Sequence, residues 1–189
     1  MVGSAWAGYA ERMYTLPAVK ERGVTVVTGL SDSSLALELI ARLALLYPAQ
    51  VIVGGNQFDA HQLARIVRRH TVQLDRVLGH IEQARPFTCF QAIKLLEETQ
   101  PTTPLVALDL LTTFYDDNIS DGDSVRLVNV AIGHLQRLGR QAPVLVTLRP
   151  SPSAMRSGLV KRIQDCADWL YVYESAVETV EEIIQLPLF

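Results

Sequence analysis

Apolar residues along this chain come in two alternating textures: short β-branched runs, and longer stretches in which they recur every three or four positions. That alternation predicts a parallel sheet with covering helices, because parallel strands are buried on both faces while a crossover helix buries only one. In the first unit, Val24-Thr25-Val26-Val27-Thr28 reads as a strand and 29–32 as a turn. Residues 33–46 then read as a helix with Leu35, Leu39, Ile40 and Leu43 on one face, closed by Pro48. A second strand is predicted at 51–53, stopped by Gly54-Gly55-Asn56. The following helix, 58–70, has Leu63, Ile66 and Val67 apolar, with Arg65, Arg68 and Arg69 facing elsewhere. A third strand is expected at 76–81, and Pro86 is expected to open a helix ending before Pro101. Residues 104–111 read as a buried strand with Asp109 at its carboxyl end, 116–123 as an acidic loop and 124–140 as an amphipathic helix. Strands five and six fall at 143–148 and 169–173, separated by a Pro/Ser-rich loop and a short helix, and an acidic helix-like stretch closes the chain.

Composition narrows the class. With 189 residues, 49% of them hydrophobic and 20% charged, the chain has the size of one domain with a real core. We read 1–184 as that α/β domain and 185–189 as an appended peptide. A net charge of −3 and a pI of 5.8 argue against general nucleic-acid coating, so DNA contact would need a local basic patch. Cys89 and Cys166 are isolated, as expected for small buried thiols in a reducing cytosol. The N-terminus lacks a basic region followed by an apolar run. The most apolar stretch, 35–53, is broken by Glu38, Arg42, Pro48 and Gln50, short of the roughly 20 residues a bilayer span needs. The expectation is a cytoplasmic protein with no membrane partner, its association with the nucleoid left open. The histidines lack a metal-ligand spacing, and no metal is assigned.

A strand, a glycine turn and a helix opening on hydroxyl residues is a context in which backbone N–H groups can cradle phosphates. Residues 28–37, Thr-Gly-Leu-Ser-Asp-Ser-Ser-Leu-Ala-Leu, lie where the ATPase core of the RecA/RadA recombinases has its phosphate loop, and Pro104-Leu-Val-Ala-Leu-Asp109 resembles that family's magnesium-side motif. The resemblance covers roughly 24–173. It implies a RecA-like P-loop NTPase core, a mostly parallel central sheet with helices on both faces. The motifs are degenerate. Ser31 and Asp32 stand where the family has Gly and Lys, so the phosphate-binding lysine is missing. A carboxylate in its place repels a phosphate by about 4 kcal/mol per charge pair at about 4 Å and an effective dielectric near 20. Micromolar binding amounts to roughly 8 kcal/mol, so the loss is large. The family's water-activating carboxylate follows the second strand, but here that turn reads Gly54-Gly-Asn-Gln-Phe58, and Asn56 or Gln57 cannot accept a proton. Gly29, Ser31, Asp32, Ser33, Ser34 and Asp109 therefore read either as a vestigial nucleotide site or as a helix start plus a strand-end carboxylate.

Two further segments carry candidate contacts. The resemblance directs the loop after the fifth strand toward single-stranded DNA. Arg149, Arg156, Lys161 and Arg162 there form an acid-free cluster of cations, although without an aromatic stacking platform. The plainer reading is a solvated loop. Gln185, Leu186, Pro187, Leu188 and Phe189 resemble the bacterial sliding-clamp-binding peptide, Gln-Leu-x-Leu-Phe. Pro187 stiffens an extended peptide, while Leu188 and Phe189 suit an apolar pocket. The alternative is that this tail folds back on the sheet.

Together these imply a bacterial, non-hydrolysing RecA-like accessory protein, a pseudo-ATPase in DNA repair, recombination or damage-tolerant replication. Its expected partners are the sliding clamp, with a RecA-like recombinase or repair polymerase subunit and single-stranded DNA as further candidates. No cofactor is expected beyond weak binding of ATP and magnesium, and no residue is assigned as catalytic. The alternatives are a working RecA-family ATPase with its site at a subunit interface, and a single-stranded-DNA-binding module.

Overall fold

The computed structural model describes residues 20–30, 33–55, 58–116, 118–151 and 156–173. Its strands are β1 (Gly23–Thr28), β2 (Ala49–Val53), β3 (Ile81–Ala84), β4 (Leu105–Leu108), β5 (Pro143–Leu148) and β6 (Trp169–Val172). They form a sheet of order β3-β2-β4-β5-β1-β6, in which every neighbouring pair is parallel. The helices are α1 (Ser34–Leu46), α2 (Ala60–His70), α3 (Leu74–Leu78), α4 (Cys89–Glu98), α5 (Asp121–Gly139) and α6 (Ser157–Asp165).

The alternation of side chains along each strand divides the core into two layers. Val27, Val51, Val53, Val106 and Leu145 pack with α1, α2 and α3 on one face of the sheet. Val24, Val26, Ile52, Ala107 and Val146 pack with α4, α5 and α6 on the other. Strands β1, β4 and β5 are buried almost throughout, which is why they read as continuous apolar runs. The chain from β1 and β2 thus turns to one face, while the chain from β4 and β5 turns to the other. Their carboxyl ends flank a crevice at the topological switch point, where open α/β sheets bind ligands.

Four expectations need correction. Residues 76–81 were expected as a strand, but α3 spans Leu74–Leu78, and β3 begins only at Ile81. Leu74, Val77 and Leu78 recur at helical spacing. As an edge strand paired only with β2, β3 tolerates Glu82 and Gln83 and lacks a strand-like apolar run. The fourth strand was expected to reach 111 but ends at Leu108, and Leu110–Phe114 forms a 3-10 turn. Leu110, Leu111 and Phe114 are fully buried in either form, so hydrophobicity alone does not separate the two. Cys89 is buried as expected, while Cys166 is half-buried.

The starts of α2, α4 and α5 follow side-chain capping. Asp59 accepts from the N–H groups of His61 and Gln62, and Thr88 from that of Gln91. Ser120 accepts from Asp123 N–H and donates to its carboxylate at 2.8 Å, so α5 starts at Asp121 rather than 124. Among the described residues, no helix is long and apolar enough to cross a membrane.

Candidate functional site

The centre of the crevice is Asp109. It follows β4 with φ +47° and ψ +45°, a left-handed conformation that Asp adopts more readily than most residues. Its backbone N–H donates to Thr147 Oγ1 at 2.8 Å, and that hydroxyl donates to Asp109 Oδ1 at 3.3 Å. From the end of β5, Arg149 Nε reaches Asp109 Oδ2 at 2.9 Å, with the Asp109 side chain 12% and the Arg149 side chain 33% exposed. Burial pushes the carboxyl above its usual range, opposed by the Arg149 charge and the Thr147 and Arg149 hydrogen bonds.

Neighbouring turns close around this pair. Gly54 N–H donates to Leu108 O at 2.8 Å, and a Cβ on Gly54 would meet Asp109 O at 2.5 Å. At Gly54 the turn after β2 can therefore approach the backbone carbonyl of Asp109 only as glycine. Gly29 takes φ +80°, and a Cβ there would strike Tyr173 O at 1.8 Å, which seats the β1 turn against the end of β6. Ser33, Asp109, Thr147 and Arg149 line a crevice of about 10 Å³. Ser33 precedes α1 without a side-chain capping bond, its carbonyl accepting from Leu37 N–H at 2.9 Å. The side-chain capping considered for Ser33 is thus absent. Ser34 is the first residue of α1. Ser31, Asp32, Asn56 and Gln57 lie outside the described residues.

This arrangement does not fit a magnesium ion. Asp109, which the resemblance puts at a magnesium-side position, is already paired at 2.9 Å with a guanidinium, and a divalent cation there would face that charge. Among the described residues no three His, Cys, Asp or Glu side chains cluster to hold a metal. Burial raises the Cys89 pKa, and burial with Asp168 nearby raises that of Cys166 to about 11.

The four cations assigned to DNA separate. Arg149 turns to Asp109, and its carbonyl accepts from the Tyr115 hydroxyl at 3.4 Å. Arg156, expected as a phosphate contact, is 8% exposed and turns its guanidinium inward. It donates to the carbonyls of Asp116 (2.7 Å), Ile119 (2.8 Å) and Phe114 (3.3 Å), and its Nε pairs with Asp121 at 3.1 Å. A planar fork with five donors can gather such a set, which explains an arginine holding the loop after β4. Lys161 and Arg162 remain at the surface of α6, near Asp165 and Asn129 respectively. The residues that sequence reasoning did not single out are Thr147 and Gly55. Thr147 is signalled only as a polar residue in an otherwise apolar strand, and a Cβ on Gly55 would sit 3.1 Å from Asp109 Oδ2. The tail residues Gln185, Leu186, Pro187, Leu188 and Phe189 lie outside the described residues.

Compared with known proteins, the chain matches no family model and no curated sequence.

Proposed function

We propose that this chain is a non-hydrolysing RecA-like scaffold acting in DNA repair, recombination or damage-tolerant replication, recruited through protein contacts that include the sliding clamp. The observation that carries the non-hydrolysing part is the Asp109–Arg149 pair. An internal guanidinium stands where a nucleotide-bound metal would be needed, beside a turn with no proton acceptor after β2 and no lysine after β1. The strand order supports the RecA-like reading. Strand β5 lies between β1, which leads to the degenerate phosphate turn, and β4, which leads to Asp109, so both turns open on one crevice.

The clamp contact rests on Gln185, Leu186, Pro187, Leu188 and Phe189. Its test is titration of a purified bacterial sliding clamp with the intact chain and with a version ending at Ile184. Binding at micromolar affinity or better by the intact chain alone is expected. Equal binding by both versions, or none by either, would sink the clamp contact.

A second reading, a working nucleotide-binding site, draws on one observation. Arg149 lines the same crevice as Ser33 and is therefore a cation close to the β1 turn. Nucleotide binding would require Arg149 to leave Asp109 for a phosphate. Thermal unfolding in millimolar ATP with magnesium separates the readings: an unchanged midpoint is expected of the scaffold, and a concentration-dependent rise supports the second reading.

A further inference from the structure

Helix α2 carries its charge on the side opposite its packing. Leu63, Ile66 and Val67 are buried in the core layer of α1, α2 and α3. At about 3.6 residues per turn, His61, Arg65 and Arg68 then fall on the opposite side, with Arg69 on its flank, and all four are exposed. Among the described residues no carboxylate forms an ion pair with Arg65, Arg68 or Arg69. The neighbouring acids are engaged elsewhere. Asp59 accepts from the N–H groups of His61 and Gln62 at the helix start, and Glu38 of α1 is shared between Arg42 and His70, each at 2.9 Å. From 60 to 74 the sequence holds three Arg and two His with no Asp or Glu, in a chain whose net charge is −3. The helix dipole accounts for cations in the last turn, Arg68 and Arg69, but not for Arg65, which lies more than a turn earlier.

The chemistry of this face selects its partner. Guanidinium groups match phosphate oxygens with paired donors and keep their charge at any ordinary pH. A protein partner would need apolar anchors at the centre of the contact. Val72 is the only exposed large apolar side chain among the described residues of α2, α3 and their connection. A single strand would need an exposed ring on which bases stack. The nearest ring, Phe58, is half-buried and packs on the core. What fits is a regular row of phosphates contacted by charge alone, as a duplex backbone presents.

We propose that the exposed side of α2, through Arg65, Arg68 and Arg69, binds the phosphate backbone of double-stranded nucleic acid without regard to sequence. Arg42 of α1 and Arg76 of α3, both exposed on helices that pack beside α2, extend the positive face. The contact goes beyond the scaffold reading and rests neither on it nor on the clamp contact.

Fluorescence anisotropy of short labelled DNA and RNA duplexes titrated with the full-length chain tests it. The logarithm of affinity should fall against the logarithm of salt with a slope of about −2.7 for three phosphates, a loss of about 40-fold between roughly 50 and 200 mM. Arg65→Gln with Arg68→Gln and Arg69→Gln should abolish binding. Because Arg68 and Arg69 also stabilise the end of α2, Arg65→Gln alone serves as the second variant. It should weaken duplex binding about tenfold at roughly 50 mM salt and leave the urea midpoint unchanged. Arg126→Gln, on the opposite face of the sheet, should leave binding as it is. Tighter binding of one duplex supports the proposal and names the nucleic acid. Absence of salt-dependent binding to either duplex would overturn it, as would binding that survives the triple variant or tighter binding of the single strand. Equal competition by polyglutamate at matched charge would also overturn it and assign the face to an acidic protein.

Discussion

Thr147 holds Asp109 at two points, accepting its backbone N–H at 2.8 Å and donating to its carboxylate at 3.3 Å. One hydroxyl on β5 thereby fixes both the left-handed backbone and the side-chain direction of the residue that ends β4. Thr147 is 2% exposed, so water cannot readily substitute. Thr147→Val, nearly isosteric, should cost about 1–3 kcal/mol by urea unfolding with an unchanged slope, because a buried donor and acceptor both lose their partner. Thr147→Ser should recover most of it.

The Asp109–Arg149 pair should respond asymmetrically. Arg149→Ala leaves a largely buried carboxylate without its cation and should cost about 1–3 kcal/mol, reduced by the solvent access of the pair. Asp109→Asn removes the buried charge while Arg149 can still reach water, and should cost less than about 1 kcal/mol. The double variant should be more stable than Arg149→Ala alone.

The same pair gives a pH signature. Burial raises the Asp109 pKa above 3.8 despite Arg149 and Thr147, so the folded chain holds this proton more tightly than the unfolded one. The Asp109 contribution to stability is therefore fully present below about 3.8 and is lost as pH rises through the folded value. Asp109→Asn should remove that part of the pH dependence, and Arg149→Ala should extend it to higher pH. Denaturant midpoints from pH 3 upward would reveal either change.

Glu38 should behave in the opposite sense. Burial raises its pKa, but hydrogen bonds and charge from Arg42 and His70, both at 2.9 Å, outweigh that and leave it below 4.5. Its contribution is present above about 4.5 and is lost as pH falls through the lowered folded value. Glu38→Gln should thus destabilise by about 0.2–1 kcal/mol near neutrality and by nothing measurable at acid pH.

Arg156→Ala should cost about 2–4 kcal/mol, since three loop carbonyls and Asp121 lose one shared donor. Arg156→Lys should recover little, an ammonium being unable to span that geometry. Lys161→Ala with Arg162→Ala should leave stability unchanged within about 0.5 kcal/mol. Any salt-dependent binding of a single-stranded oligonucleotide should follow that surface pair rather than Arg156.

Elements whose burial is two-sided were legible without coordinates. Strands β1 and β5 and the central parts of β2 and β4 are continuous apolar runs, and α1, α2 and α5 carry one apolar stripe each. Edge strand β3 was not legible, because an edge need not be apolar. The end of β4 was not either, because Leu110 and Leu111 are buried whether the backbone is extended or turned. The position of Asp109 at a strand end was read from order alone, whereas its partners were not.

What sequence by itself determined is what depends on neighbours along the chain: alternation, helical period, and the absence of a lysine after β1 and of a carboxylate in the turn directly after β2. What only the tertiary structure decided is which charges meet. Arg149 and Arg156 lie seven residues apart in one basic segment, yet one neutralises a carboxylate 40 positions earlier and the other gathers the carbonyls of the loop after β4. A cation reads alike in sequence wherever it ends up. Strand order sets its partner by bringing β4 beside β5 and delivering their carboxyl ends to one crevice.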